Sequence, residues 1–347
     1  MTIPLSARPH LESLRAYDLD APESRFALAN NTNAFGVPPS AIASVRAVTD
    51  RQLVHYPTPF SPALREAIAA YAGVRPEEVI VGCGSDDVLD CALRAFAPPG
   101  GTVAHVAPTF VMARVFALTN SLVPVAVPLT PSFDANAEGL LAVGGSVFYL
   151  CSPNNPTGGL HSPAAVDRVL EQAAGLVLLD EAYAEYAGRS RAAQAPGHGR
   201  LLVLRTLSKA FGLAGLRVGY GIGAASLIRE LEKVRGPYKV TAVAEAAALA
   251  ALEHDLSWMR HTVRETLASR DEFVAALQSA GRVPLPSDAN FILLPVADAA
   301  AASRALLGRG IHVRAFTGLP AIGDALRITV GPRDVMRFVI DQLLEVT

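Results

Sequence analysis

Short apolar runs separated by amphipathic stretches set the rhythm of the chain between about residues 61 and 236. The runs EVIVG (78–82), TVAHVAP, LVPVAVPL, SVFYLCSP, GLVLLDE, LLVLRTLS and LRVGYGIG have strand length and are almost continuously apolar. Strands covered on both faces have this character. Helical stretches separate several of them. Ser61 and Pro62 are placed as the cap and first residue of a helix over ALREAIAAYA, with Gly73 as its stop. Ser85 and Asp86 are placed as the caps of a helix that runs to Phe96, and another helix covers 162–173. The alternation predicts a parallel, doubly wound α/β sheet with right-handed crossovers. Ligands of such sheets bind beyond the carboxyl ends of the strands.

After residue 236 the rhythm changes. Residues 240–279 are mainly helix-forming, and NFILLPV, a helix near 298–308, GIHVRAF, ALRITVG and a closing helix follow. This predicts a smaller α+β domain over 237–347, after a large domain over 31–236. Residues 1–30, with prolines and mixed charge, read as an arm, and NNTNAFGVPP (30–39) as a loop.

Composition narrows the range of partners. The 347 residues are 51% hydrophobic and 18% charged, which fits a globular chain of two domains or one large one. A net charge of −2 gives no basic field for nucleic acid or an anionic membrane, so a small molecule is the expected partner. Cys83, Cys91 and Cys151 form no CxxC pair, which points away from a disulfide framework or zinc and toward a reducing cytoplasm. The N-terminus lacks the apolar core of a signal peptide. The alanine-rich stretch 240–252 carries Glu245 and is too short to span a bilayer. The histidines show no metal-ligand spacing, so no metal is expected.

Candidate chemistry gathers at the strand ends. Asn155 lies just past SVFYL, Asp180 ends GLVLL with Tyr183 three residues on, and Ser208 and Lys209 follow LLVLRTL. Arg217 comes eight residues after the lysine. Of 30 basic residues only Lys209, Lys233 and Lys239 are lysines, so one lysine at a strand end stands out. It is either a surface residue or an amine which, partly desolvated, forms an imine with an aldehyde. Asp180 is a helix cap, an ion-pair partner, a Walker B-like magnesium ligand or an acid holding a pyridinium nitrogen. The Walker B reading needs a GxxxxGK[ST] loop, which the chain lacks. Gly82 to Asp87 is either a tight turn or an anion site at a helix start. Arg217 and Arg327 are either ion-pair partners or bidentate anion binders.

Taken together, SPNNPTG, LLDEAYAEY, TLSKAFGLAGLRVG and ALRITVG resemble the fold-type I pyridoxal-phosphate aminotransferases, and most closely the histidinol-phosphate aminotransferase family. YPTPFSPALREAIAAYAGV, KVRGPYKVTAVAEAAALAAL, DANFILL and GIHVRAF extend the likeness from about residue 25 to the C-terminus. The resemblance implies a large domain with a mainly parallel seven-stranded sheet flanked by helices, and a smaller α+β domain that part of the N-terminal segment joins. It implies pyridoxal 5'-phosphate as cofactor, held by Lys209 as a Schiff base, with Lys209 also moving the proton. It implies that Asp180 pairs with the pyridine nitrogen, and that Asn155 and Tyr183 bond the phenolic oxygen. Gly84, Ser85 and Asp86, with Thr206, Ser208 and Arg217, take the phosphate, and Phe110 stacks on the ring. Tyr56 reaches the phosphate of a neighbouring subunit, which implies a homodimer with shared sites. Arg327, Arg314, Tyr17 and Asn155 meet the substrates, an amino donor and a 2-oxo acid. The implied reaction is ping-pong transamination from histidinol phosphate to 2-oxoglutarate, in histidine synthesis. An aromatic amino-acid aminotransferase, a threonine-phosphate decarboxylase-like enzyme and a non-catalytic or NAD-binding α/β protein are the alternatives. The chain departs from the family pattern around Tyr17, at Asn33, at Thr58 and at Lys239 and Thr241, all toward the substrate side.

Overall fold

The computed structural model describes residues 8–15 and 22–347. Its strands are β1 (Phe26–Ala27), β2 (Val79–Cys83), β3 (Thr102–Ala107), β4 (Val123–Pro128), β5 (Val147–Cys151), β6 (Leu176–Asp180), β7 (Leu201–Thr206), β8 (Val218–Ile222), β9 (Phe291–Pro295), β10 (Ile311–His312), β11 (Arg314–Leu319) and β12 (Gly323–Thr329). The helices are α1 (Pro39–Arg46), α2 (Asp50–Val54), α3 (Pro62–Ala72), α4 (Ser85–Phe96), α5 (Met112–Thr119), α6 (Ala137–Val143), α7 (Pro163–Gln172), α8 (Ala184–Ala187), α9 (Ala225–Val234), α10 (Ala242–His254), α11 (Leu256–Ser279), α12 (Ala299–Gly308) and α13 (Arg333–Leu344).

Seven strands form one sheet in the order β2-β8-β7-β6-β5-β3-β4. Six run the same way. β8 pairs antiparallel with both β2 and β7. The apolar runs alone read as parallel throughout, and the reversal has a simple cause. Only residues 207–217 join β7 to β8, with a single 3₁₀ turn and no α-helix, whereas a parallel crossover needs a dozen or more residues, usually including a helix. The strand residues alternate between two apolar layers. Phe148 and Leu150 of β5 pack on one side with α3, α7 and α10. Val147, Tyr149 and Cys151 pack on the other with α4, α5 and α9. A third core lies beneath the three-stranded sheet β11-β12-β9 and includes Leu28, which follows β1 where it pairs with β10.

Two helix starts differ from expectation. Ser61 is the residue before α3, but its φ is 45° and its hydroxyl donates to Glu245 (3.4 Å) instead of capping the helix. Ser85 and Asp86 lie inside the first turn of α4, with Gly84 at the cap and no side-chain cap bond. No helix among the described residues is long and apolar enough to cross a membrane.

Candidate active site

β7 ends at Thr206 and delivers Lys209 to the floor of a cleft at the carboxyl ends of the strands. The turn beyond is tightly bonded: Leu207 N–H reaches Val218 O, and Gly212 N–H reaches Lys209 O, each at 3.0 Å. Leu207, Ala210, Phe211 and Leu213 are buried beneath it, so packing on the other side leaves the lysine facing the cleft. Its Nζ donates to Asn30 O (2.9 Å). Burial lowers the amine to about 8; nearby Arg327 and Arg217 push the same way, and Asp86 and Asp180 oppose them.

Asp180 closes β6 and is buried. Its Oδ1 accepts the Ala182 N–H (3.1 Å), and its Oδ2 accepts the Tyr149 hydroxyl (2.7 Å). Burial still raises it to about 6, so the carboxylate is charged at neutral pH but close to its titration. The next acid, Glu181, has a different job. It accepts the Arg191 N–H (2.7 Å) and pairs with Arg205 (3.5 Å), both outside the cleft lining.

The β2–α4 turn forms an anion cradle. Gly84 has φ 80°, and a Cβ there would lie 2.5 Å from Arg217 Nη2. A Cβ on Gly219 of β8 would lie 2.1 Å from the backbone N of Ser85. Glycine at both positions lets the start of α4 approach β8 and the guanidinium. The absence of a side-chain cap leaves first-turn N–H groups available to a ligand, and the helix dipole favours an anion there. Arg217 pairs with Asp86 (3.4 Å) and donates to Ser208 Oγ (3.4 Å), which also accepts from Thr206 Oγ1 (2.9 Å).

The opposite wall comes from distant parts of the chain. Asn154 ties down its own loop through Pro108 O (3.0 Å) and Thr157 Oγ1 (2.9 Å), and Asn155 faces the cleft. Asn155 Oδ1 accepts from Arg327 Nη1, which leaves its amide nitrogen as a donor. Arg327 Nη2 donates to Ala29 O (2.7 Å), and its guanidinium lies over Phe291 and Phe316. Arg314 is its register partner across β11 and β12, so the two arginines share one face. Tyr183 Oη accepts from Asn31 Nδ2 (3.0 Å). The Asn155–Pro156 peptide is cis.

Lys209, Asp180, Tyr183, Ser85, Asp86, Phe110, Asn155, Thr206, Ser208, Arg217, Arg314 and Arg327 thus line one cleft, and Gly84 sits at its helix cap. Tyr56 does not join them. It is 82% exposed and stacks on Tyr238 (centroids 4.9 Å apart), in a separate hollow lined by Arg51, His55 and Glu245. Tyr17 lies outside the described residues. Sequence reasoning missed Asn30, Asn31, Phe316 and Tyr149. The first two belong to a stretch read only as a loop, and Tyr149 to a strand read as apolar filling. A hydroxyl two residues before the strand end was the one available signal, and it needs the β5–β6 register to be interpreted. The set can hold a flat ring with its nitrogen toward a carboxylate, an anionic tail in the cradle and a carbonyl at Lys209. The glycine-cleared cradle and the lowered amine fit such a group.

This architecture and site are those of the aminotransferases, and the chain belongs to their class I and II family, whose model matches residues 24–343. Histidinol-phosphate aminotransferase of Thermoanaerobacter sp. (strain X514) is 31% identical, with 97% of each chain covered. That of Roseiflexus castenholzii is 38% identical over 91% of this chain and 88% of its own. Among solved structures, histidinol-phosphate aminotransferase from Sinorhizobium meliloti in complex with pyridoxal-5'-phosphate superposes with a TM-score of 0.86. It shares 26% identity over 99% of this chain and 98% of its own.

Proposed function

We propose that this chain is a pyridoxal-phosphate-dependent aminotransferase that moves the amino group of histidinol phosphate to 2-oxoglutarate, acting in the cytoplasm as a homodimer in histidine synthesis. The observation that carries the reading is an amine lowered to about 8 on the floor of a cleft that also holds a buried carboxylate and an anion cradle. The names of the relatives, which match almost the whole chain, support the choice of donor.

Pyridoxal phosphate, when bound, supplies an aldehyde and an electron-withdrawing ring. The rest falls to the protein. Lys209 would hold the cofactor at its aldehyde carbon, because a lowered amine is partly uncharged near neutral pH and mostly so above 8. Freed by the incoming donor, Lys209 Nζ would take up the proton that leaves the donor's Cα and later give it up again. Asp180 keeps the ring nitrogen charged. Asn155 and Tyr183 bond the phenolic oxygen, and Phe110 stacks on the ring. Gly84, Ser85, Asp86, Thr206, Ser208 and Arg217 hold the phosphate. Arg327 and Arg314 take the substrate's anionic end, and both partners of the exchange have one: a phosphate on the donor, carboxylates on 2-oxoglutarate. Tyr56 is assigned to the site of a second copy. Leu53 at 67%, Val54 at 78% and Tyr56 at 82% exposure give the apolar surface a dimer would cover.

A panel of amino donors tests this reading. Histidinol phosphate is expected to transfer with 2-oxoglutarate as acceptor. Transfer from phenylalanine without transfer from histidinol phosphate overturns the substrate assignment.

A further inference from the structure

We infer that Tyr149 is a positioning residue for the cofactor: through its hydroxyl bond to Asp180 it keeps the shared proton on the ring nitrogen and off the carboxylate. This rests on the reading of Asp180 as the partner of that nitrogen.

Tyr149 lies in β5 and is completely buried. Its β5 neighbours Val147, Phe148, Leu150 and Cys151 have no hydroxyl, and a phenylalanine would fill the same space. A buried hydroxyl is costly unless it is bonded. Here it is bonded at 2.7 Å, to an acid on the adjacent strand. The register explains the reach: Cys151 stands opposite Asp180 and Tyr149 opposite Leu178, so a long side chain two residues back meets the carboxylate diagonally. Burial beside Asp180 pushes the phenol well above its ordinary value, so it remains a donor at every working pH.

Asp180 Oδ1 has the Ala182 N–H and Oδ2 has the Tyr149 O–H. A ring nitrogen facing the acid shares one proton with it. The proton rests either on nitrogen, with Asp180 charged, or on Asp180, with the nitrogen neutral. Only the first makes the ring a strong electron sink. Both donors stabilise the charged carboxylate and so favour the first state. Asp180 has little margin, because it already lies near 6 with both donors in place. Losing the stronger one moves its titration up toward neutral pH.

The test compares pyridoxal 5'-phosphate with 1-deazapyridoxal 5'-phosphate, in which a CH replaces the ring nitrogen, on the full chain stripped of cofactor. Dissociation constants come from absorbance titration of the native protein and of Tyr149→Phe, which keeps the ring and its packing. The ratio of the two constants cancels contributions from Lys209 and the phosphate cradle. The native protein is expected to prefer the nitrogen-bearing cofactor, and Tyr149→Phe to cut that preference by about tenfold. Affinity for the deaza compound should change by less than about twofold. The native preference fades as pH falls through about 6, and in the variant it should fade at a higher pH. Equal weakening of both compounds, or an unmoved pH midpoint, overturns the role of Tyr149 while leaving that of Asp180 standing. A native protein with no preference for the nitrogen overturns the Asp180 reading and this inference with it.

Discussion

The two walls of the cleft are built in different ways. One is made by the large sheet: Asp180, Thr206, Ser208 and Lys209 sit on or just past β6 and β7, and Arg217 sits just before β8, all three strands being buried on both faces. The other is assembled from pieces far apart in the chain: Ala29 to Asn31, Asn155, and Arg314 and Arg327 on the small sheet. The first wall offers one amine, one acid and one cradle, and little freedom to vary them. The second offers two arginines and aromatic faces whose spacing depends on how several segments meet. Under the proposed function, the first wall carries the chemistry common to the family and the second decides which amine is accepted.

Substitutions should tell the two walls apart. The largest effect is expected from Lys209→Ala. Transamination should fall by ~10²–10⁴-fold, and borohydride should no longer fix the cofactor to the chain, as read by intact mass. Near-native turnover would sink the assignment. Arg327→Lys comes next. Loss of a buried bidentate contact should lower kcat/KM for the donor by about 10²-fold, with cofactor affinity held within about threefold. If it released the cofactor instead, the two walls would not be separable. Gly84→Ala reverses the pattern. A methyl placed 2.5 Å from Arg217 at φ 80° should weaken cofactor binding by roughly tenfold through backbone strain, with KM for the donor unchanged in steady-state assays at saturating cofactor. The smallest effect belongs to Arg314→Lys. This side chain is only half-buried, and a few-fold rise in KM for the anionic substrate is expected.

The same contrast governs what could be read from the sequence. The first wall was legible because its residues follow apolar runs that are strands by pattern, and strand ends of a doubly wound sheet meet at one edge. The second was harder. Asn31 reaches Tyr183 and Asn30 reaches Lys209 across more than 150 residues of chain, and nothing in NNTNAFG signals such contacts. Arg314 and Arg327 were named, but their pairing depends on the antiparallel register of β11 and β12. Tyr149 was passed over because its contact depends on the offset between two parallel strands. Tyr56 shows a different limit, since its proposed work lies on another copy of the chain.

The reversal at β8 fixes a length as well as a direction. Lys209 and Arg217 stand on one short turn, between a strand that runs into the cleft and one that runs out of it. Gly212 fits there with no room to spare, for a Cβ on it would lie 2.4 Å from Gly36 O. There is no slack to absorb an added or missing residue, so one would carry the cradle arginine out of step with the amine. Insertions and deletions should therefore be far rarer between residues 207 and 217 than substitutions are.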